Sequence, residues 1–164
     1  MSIIICAFAG LGKTYLAQKY ENIIDFDIGQ FKYKNYGKTI EEQERQKATS
    51  HREKNEEYPN NYLSALKEVM KKDNIVFLPA DLEIRDMLLK EKIKFVFIMP
   101  SVDSKEELVS RYKKRGNNEM FIKRAITDLE NWSKLTYNYK KVVLPKNKYL
   151  EDYLIEKNLV QLYW

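Results

Sequence analysis

Five short apolar runs, at residues 2–8, 23–26, 75–78, 94–99 and 141–144, each stop at a glycine, a proline or an acid. Segments of helical period lie between and around them, at 13–21, 61–72, 81–90, 104–115 and 119–138. Strands alternating with helices predict an α/β domain: a five-stranded parallel sheet with helices on both faces, and ligands collected beyond the carboxyl ends of the strands. A chain of 164 residues with 44% hydrophobic and 13% aromatic side chains is enough for one packed core, so a single domain is expected. Residues 34–59 break the alternation. They are polar and highly charged, and read as an excursion over the ligand-bearing face, with 43–57 either a solvated helix or a loop.

The first apolar run leads into Ala7-Phe8-Ala9-Gly10-Leu11-Gly12-Lys13-Thr14, directly ahead of the first helix. Binding a triphosphate needs several backbone amides converging on one concavity, a lysine for the outer phosphates and a hydroxyl for Mg²⁺. Ala9, Gly10, Leu11, Gly12, Lys13 and Thr14 supply those parts in order, with Lys13 in the phosphate role and Thr14 in the metal role. A chance match to this pattern in a chain of this length is on the order of one per cent. Ala7 stands where glycine is commoner, and alanine tolerates positive φ poorly. The plain alternative is a glycine-rich turn that binds nothing.

Other classes are poorly served. No Asp-x-x-Gly or Asn-Lys-x-Asp pair exists to read guanine, since Asn147-Lys148 runs into Tyr149-Leu150. No acidic pair follows the run 75–78, as ATP-driven motors usually require. Cys6, the one cysteine, lies in an apolar run and reads as a buried, inert thiol. His51, the one histidine, reads as a surface residue, and no metal-ligand cluster surrounds it. The net charge of +5 is spread along the chain among acids, so a nucleic-acid partner is not expected. No apolar run reaches the roughly 20 residues of a membrane span, and the first run is too short for a secretory signal. A soluble, cytoplasmic protein, monomeric or homodimeric, is the expectation.

Three further segments carry a resemblance. Asp25-Phe26-Asp27 closes the second run, Glu83-Ile84-Arg85 follows the third, and Arg111-Tyr112-Lys113-Lys114-Arg115-Gly116 ends a helical segment. With the glycine turn, these make the chain similar over most of its length to the P-loop nucleoside monophosphate kinases and their small-molecule-kinase relatives. Phage-encoded deoxynucleotide kinase-like proteins look nearest. The resemblance implies a three-layer P-loop NTPase fold, with 34–60 an acceptor-side excursion and 101–118 a lid-like segment. It implies ATP- and Mg²⁺-dependent phosphoryl transfer to a nucleotide, the expected acceptor being a (deoxy)nucleoside monophosphate. Asp27 would hold the metal shell or the acceptor, and Asp25 and Arg85 would face the acceptor. Lys146 would lie in the loop that packs the adenine.

The lid has its own physical argument. Arg111 and Arg115 are four apart, hence on one helix face, and two arginines suit the charge of a phosphoryl group in transfer. Asp25 and Asp27 alternate along a strand, so one carboxylate is favoured for the metal: Asp27, nearer the carboxyl end. Phe31, Tyr36 and Tyr58 belong to an aromatic set that either stacks on a base or anchors the excursion to the core. Trp132 reads as a core residue. For Arg85 the alternative is a surface arginine. Two other functions stay open: a kinase of a hydroxyl group on a nucleoside, modified base or metabolite, and a non-catalytic ATP-binding regulatory or nucleic-acid-binding module.

Overall fold

In the computed structural model, which describes residues 2–49 and 52–160, every expected strand forms. They are β1 (Ile3–Ala7), β2 (Ile23–Asp25), β3 (Ile75–Pro79), β4 (Val96–Pro100) and β5 (Lys140–Leu144). All pair in parallel in the order β2-β3-β1-β4-β5, with Ile3 opposite Ile75 and Ala7 opposite Pro79. The helices are α1 (Lys13–Lys19), α2 (Gly29–Lys32), α3 (Ile40–Thr49), α4 (Asn60–Val69), α5 (Leu82–Lys90), α6 (Lys105–Lys114), α7 (Glu119–Ser133) and α8 (Leu150–Glu156). Among the described residues no helix is long and apolar enough to cross a membrane. His51 lies outside the described residues.

The core explains the sheet. Ile4, Ile5, Cys6 and Ala7 are buried in succession, so side chains on both faces of β1 are covered, as continuous apolar runs require in a parallel sheet. The connection from β1 to β2 crosses the sheet in the opposite direction to the later ones. Right-handed crossovers therefore place α1 on one face and α4, α5 and α7 on the other. Lys19 of α1 pairs with Glu151 of α8 at 2.8 Å, which puts α8 beside α1. The path leaving β1 and the paths leaving its neighbours β3 and β4 diverge, and a crevice opens at that point of the carboxyl edge.

The excursion is tied down by rings. Phe31 meets Phe26 and Tyr62 at 5.4 Å each, and Tyr62 stacks on Phe26 at 4.8 Å while its hydroxyl donates to the Phe26 carbonyl. Of the segment 43–57 that the sequence left open between helix and loop, residues up to 49 lie in a helix that starts at 40, and 52–57 are not helical. Strand-like pairing of Tyr33 with Lys54 draws the end of the excursion back onto α2. At the other edge, α7 stops at Ser133, short of the expected 138. Lys141 donates to the carbonyls of Trp132 and Leu135, and Tyr137 turns away to stack on Tyr139 at 5.0 Å.

Cys6 is fully buried in β1, and that burial pushes its thiol up to about 12. A disulfide reagent at mildly alkaline pH is expected to leave the native protein unlabelled and to titrate the one thiol after denaturation. Native labelling at the denatured rate would contradict the burial.

Candidate active site

The turn between β1 and α1 is shaped by two glycines in the left-handed region, Gly10 at φ 90° and Gly12 at φ 98°. Gly10 is held by space as well, since a Cβ there would lie 3.0 Å from the Tyr112 ring. Ala7 is the last residue of β1 and has no positive φ, so the position where glycine is commoner makes no such demand here. Three successive carbonyls of the turn are engaged. Ala9 accepts from the Tyr112 hydroxyl at 2.7 Å, Gly10 from Arg111 at 2.9 Å, and Leu11 from the Leu150 amide at 3.2 Å. Among the described residues, no protein acceptor takes a proton from the amides of Gly10, Gly12, Lys13 or Thr14. Carbonyls bound and neighbouring amides unbound is the polarity an anion cradle needs.

Lys13 folds back over this turn, and its ammonium donates to the Ala7 carbonyl at 3.0 Å. Burial holds it below its ordinary pKa. Asp25 pulls it back up, Arg115 lowers it, and Asp27 and Asp81 raise it, so three carboxylates and one guanidinium act on this amine through space. Thr14 donates its hydroxyl to Asp25 at 2.9 Å. The expectation that Asp27 serves beside Thr14 is therefore corrected: β2 ends at Asp25, which is the carboxylate brought to Thr14, and Asp27 lies beyond the strand. Asp27 instead accepts from the Tyr36 hydroxyl at 3.0 Å, and the two line a cavity of about 370 Å³ with Gln30, Lys38 and Gln43. The Tyr36 hydroxyl is pushed up by its burial and by Asp27, so it remains a donor.

Helix α6 covers the turn from the other side. Arg111 reaches Gly10, meets Glu107 at 3.2 Å, and lies 4.3 Å over the Tyr149 ring. Arg115 is exposed at the end of α6, on the Arg111 side and within electrostatic reach of Lys13. The helix closes in a Schellman motif, with Gly116 at φ 85° donating to Lys113 and Asn117 to Tyr112. This end of α6 is thereby fixed one turn beyond Arg111, which donates to the Gly10 carbonyl.

Arg85 is a second correction. It is neither a surface residue nor open to an acceptor: it is 0% exposed, beneath the carboxyl edge of the sheet. Its Nε donates to the Ala80 carbonyl and its Nη1 to the Tyr139 hydroxyl, both at 2.8 Å. Its guanidinium lies 4.2 Å over Phe97, 4.4 Å over Trp132 and 5.2 Å over Tyr137. The cause is helical position: Ile84 and Leu88 take α5 onto the sheet, and Arg85 sits beside them on the same face. Trp132 is a core residue in this cage, edge-on to Phe8 and Phe97.

The remaining expected residues separate. Phe31 packs its ring on the Phe26–Tyr62 cluster. Tyr58 lines a second cavity, and Lys146 is exposed in the turn between β5 and α8. Sequence reasoning missed Tyr112, Tyr149, Gln30 and Gln43. Tyr112 was legible in part, being four after Leu108 and so on the buried face of α6. Tyr149 precedes α8 and Gln30 lies in the single turn of α2, where no period marks a direction, and Gln43 lies in the largely polar α3, which has no apolar stripe to orient it. No protein-family model matches the chain, and no curated protein matches it.

Proposed function

We propose that this protein transfers the γ-phosphoryl group of ATP, with Mg²⁺, to a nucleotide bound over the ends of β2 and β3. The observation that carries the reading is the cradle: unbound amides of Gly10, Gly12, Lys13 and Thr14 beside a lysine that now holds only a carbonyl. Polyphosphate would accept from those amides and draw Lys13 off Ala7. The Thr14–Asp25 pair supplies two hard oxygen ligands, and among the described residues no cluster of three candidate ligands exists. That sparse donor set fits Mg²⁺, which keeps waters and phosphate oxygens in most of its positions. When bound, the ion would neutralise charge on the outer phosphates. Arg111, released from Gly10, and Arg115 would add positive charge around the transferring group.

A hydroxyl, not a phosphate, as the accepting group is favoured by what stands on the acceptor side. Asp25, Asp27 and Asp81 all act electrostatically on Lys13, while Arg85 is withdrawn into the core. Three carboxylates repel an incoming dianion but can orient a hydroxyl. Asp27 would take the hydroxyl proton as that oxygen bonds to the γ-phosphorus and the bond to the bridging oxygen of ADP breaks.

Titration with ATP and Mg²⁺ is expected to give heat and a rise in melting temperature, and a screen of nucleosides and nucleotides should yield ADP release with at least one acceptor. Asp27→Asn should then lower kcat about 10²–10⁴-fold with ATP affinity retained. Binding of ATP with no acceptor turned over would leave the regulatory alternative standing, and absence of binding sinks the reading.

A further inference from the structure

Asp27 is exposed just beyond the end of β2, and the main chain ahead of it is tied down at Phe26. The Phe26 amide donates to the Phe77 carbonyl at 2.8 Å, and the Phe26 carbonyl accepts from the Tyr62 hydroxyl at 2.8 Å. Neither bond sets the Asp27 side chain. An exposed carboxylate samples several staggered rotamers unless a partner selects one. Among the described residues that partner is a single group, the Tyr36 hydroxyl, which donates to Oδ2 at 3.0 Å.

Tyr36 reaches Asp27 along a path that the fold has shaped for it. Its ring crosses Gly29, the first residue of α2, so closely that a Cβ there would stand 2.1 Å from Cζ, the carbon bearing the hydroxyl. Gly29 has no positive φ, so space and not backbone conformation calls for glycine. On its other side the turn after Tyr36 is fastened to α3. Gln43 donates to the Gly37 carbonyl and Gln46 accepts from the Gly37 amide, both at 2.9 Å, while Glu42 accepts from the Lys38 amide at 2.8 Å. The Tyr33 ring stacks on that of Tyr36 at 6.4 Å, with the Arg52 guanidinium 4.6 Å over Tyr33. A phenol seated in a glycine notch and strapped from α3 is a fixed donor.

We propose that Tyr36 is a positioning residue: its hydroxyl holds Oδ2 of Asp27, leaving Oδ1 to take the acceptor's proton as the acceptor oxygen bonds to the γ-phosphorus and ADP leaves. A hydrogen bond to an ionised carboxylate is among the stronger kinds, enough to select one rotamer of an exposed side chain. Selection matters because transfer requires the reacting atoms to be aligned at about 3–3.5 Å, and a misplacement of about 1 Å can cost 10²-fold in rate. The same contact ties the carboxylate to α3, so the polar excursion serves the chemistry by holding one hydroxyl in place. The inference rests on the phosphoryl-transfer reading, and it assigns Tyr36 to the carboxylate instead of to a nucleobase.

The test is steady-state ADP release by the full chain with ATP·Mg²⁺ and a panel of nucleosides and nucleoside monophosphates, on Tyr36→Phe alone and combined with Asp27→Asn. Phenylalanine keeps the ring over Gly29 and removes only the donor. In Tyr36→Phe, kcat should fall about 10–100-fold while the acceptor KM stays within about two-fold. In the Asp27→Asn background the same change should lower kcat less than about two-fold, because no carboxylate is left to position. Gly29→Ala, which drives the ring off its notch, should give the Tyr36→Phe kinetics and add nothing to them; if that variant does not fold, the Tyr36 and Asp27 variants decide alone. An unchanged kcat in Tyr36→Phe overturns the inference. So does a rise in KM alone, which would make Tyr36 a substrate contact, or an equal loss in both backgrounds, which would make it merely structural. Turnover at the wild-type rate in Asp27→Asn removes the carboxylate's role and the inference with it. A wild type that turns over no acceptor is a separate result, since it fails the phosphoryl-transfer reading itself and takes the inference down with it.

Discussion

Lys13→Ala is expected to lower the phosphoryl-transfer rate about 10²–10³-fold, the usual cost of removing one preorganised charge from a developing anion. The fold should survive. The ammonium makes one hydrogen bond, to the Ala7 carbonyl, and burial already lowers its pKa, so alanine removes a charge that the folded state holds at a cost. The melting temperature should therefore stay level or rise while ATP affinity and kcat fall, a split that no general loss of structure can produce. Lys13→Arg should not rescue, because a planar fork needs more room than the turn beneath Arg111 and Tyr112 allows. Turnover at the wild-type rate in Lys13→Ala would remove the cradle from the mechanism.

Arg85→Ala should act in the opposite way, on stability and not on substrate. The change empties the largest fully buried side chain, breaks the bonds to Ala80 and Tyr139, and leaves three ring faces without their cation. The expected loss is about 3–5 kcal/mol, or roughly 6–20 °C in melting temperature for a domain of this size. The guanidinium also has a cost of its own, since its Nη2 is buried without a hydrogen-bond partner. Arg85→Leu should thus recover part of the loss by refilling the space without that orphan. Thermal melts of the two variants, with acceptor KM measured below the transition, separate the roles. A raised KM with an unchanged melt would restore Arg85 to the acceptor side.

Much of the architecture was readable before any coordinates. Each of the five apolar runs became a strand with ends shifted by two residues or fewer, and the segment 81–90 became α5 with its start moved by one. Side-chain destinations were less readable. The alternation rule for Asp25 and Asp27 was sound, but it could not say that β2 would stop after three residues, which leaves Asp27 outside the strand and gives Thr14 to Asp25. Residues 29–32 form a single turn, too short for a period to show, yet that turn divides the two cavities. The aromatic set in the excursion split between anchoring and lining roles. Phe31 went to the Phe26–Tyr62 cluster, and Tyr36 reached Asp27 because its ring lies against Gly29, where a Cβ would stand only 2.1 Å away.

What the sequence alone determined is what short-range chemistry controls: alternating apolar runs that must be buried on both faces, and glycines at 10 and 12 that permit a left-handed turn ahead of a helix. What only the tertiary structure decided is which distant groups become neighbours. Strand order set α6 over the cradle, so that Arg111 and Tyr112 close on carbonyls about a hundred positions earlier in the chain. Helix rotation took Arg85 inward to an aromatic cage assembled from β4, the end of α7 and the residues before β5. Periodicity tells which residues share a face, but the partner of that face depends on crossings between elements far apart in the chain, and those are settled by packing the whole core at once.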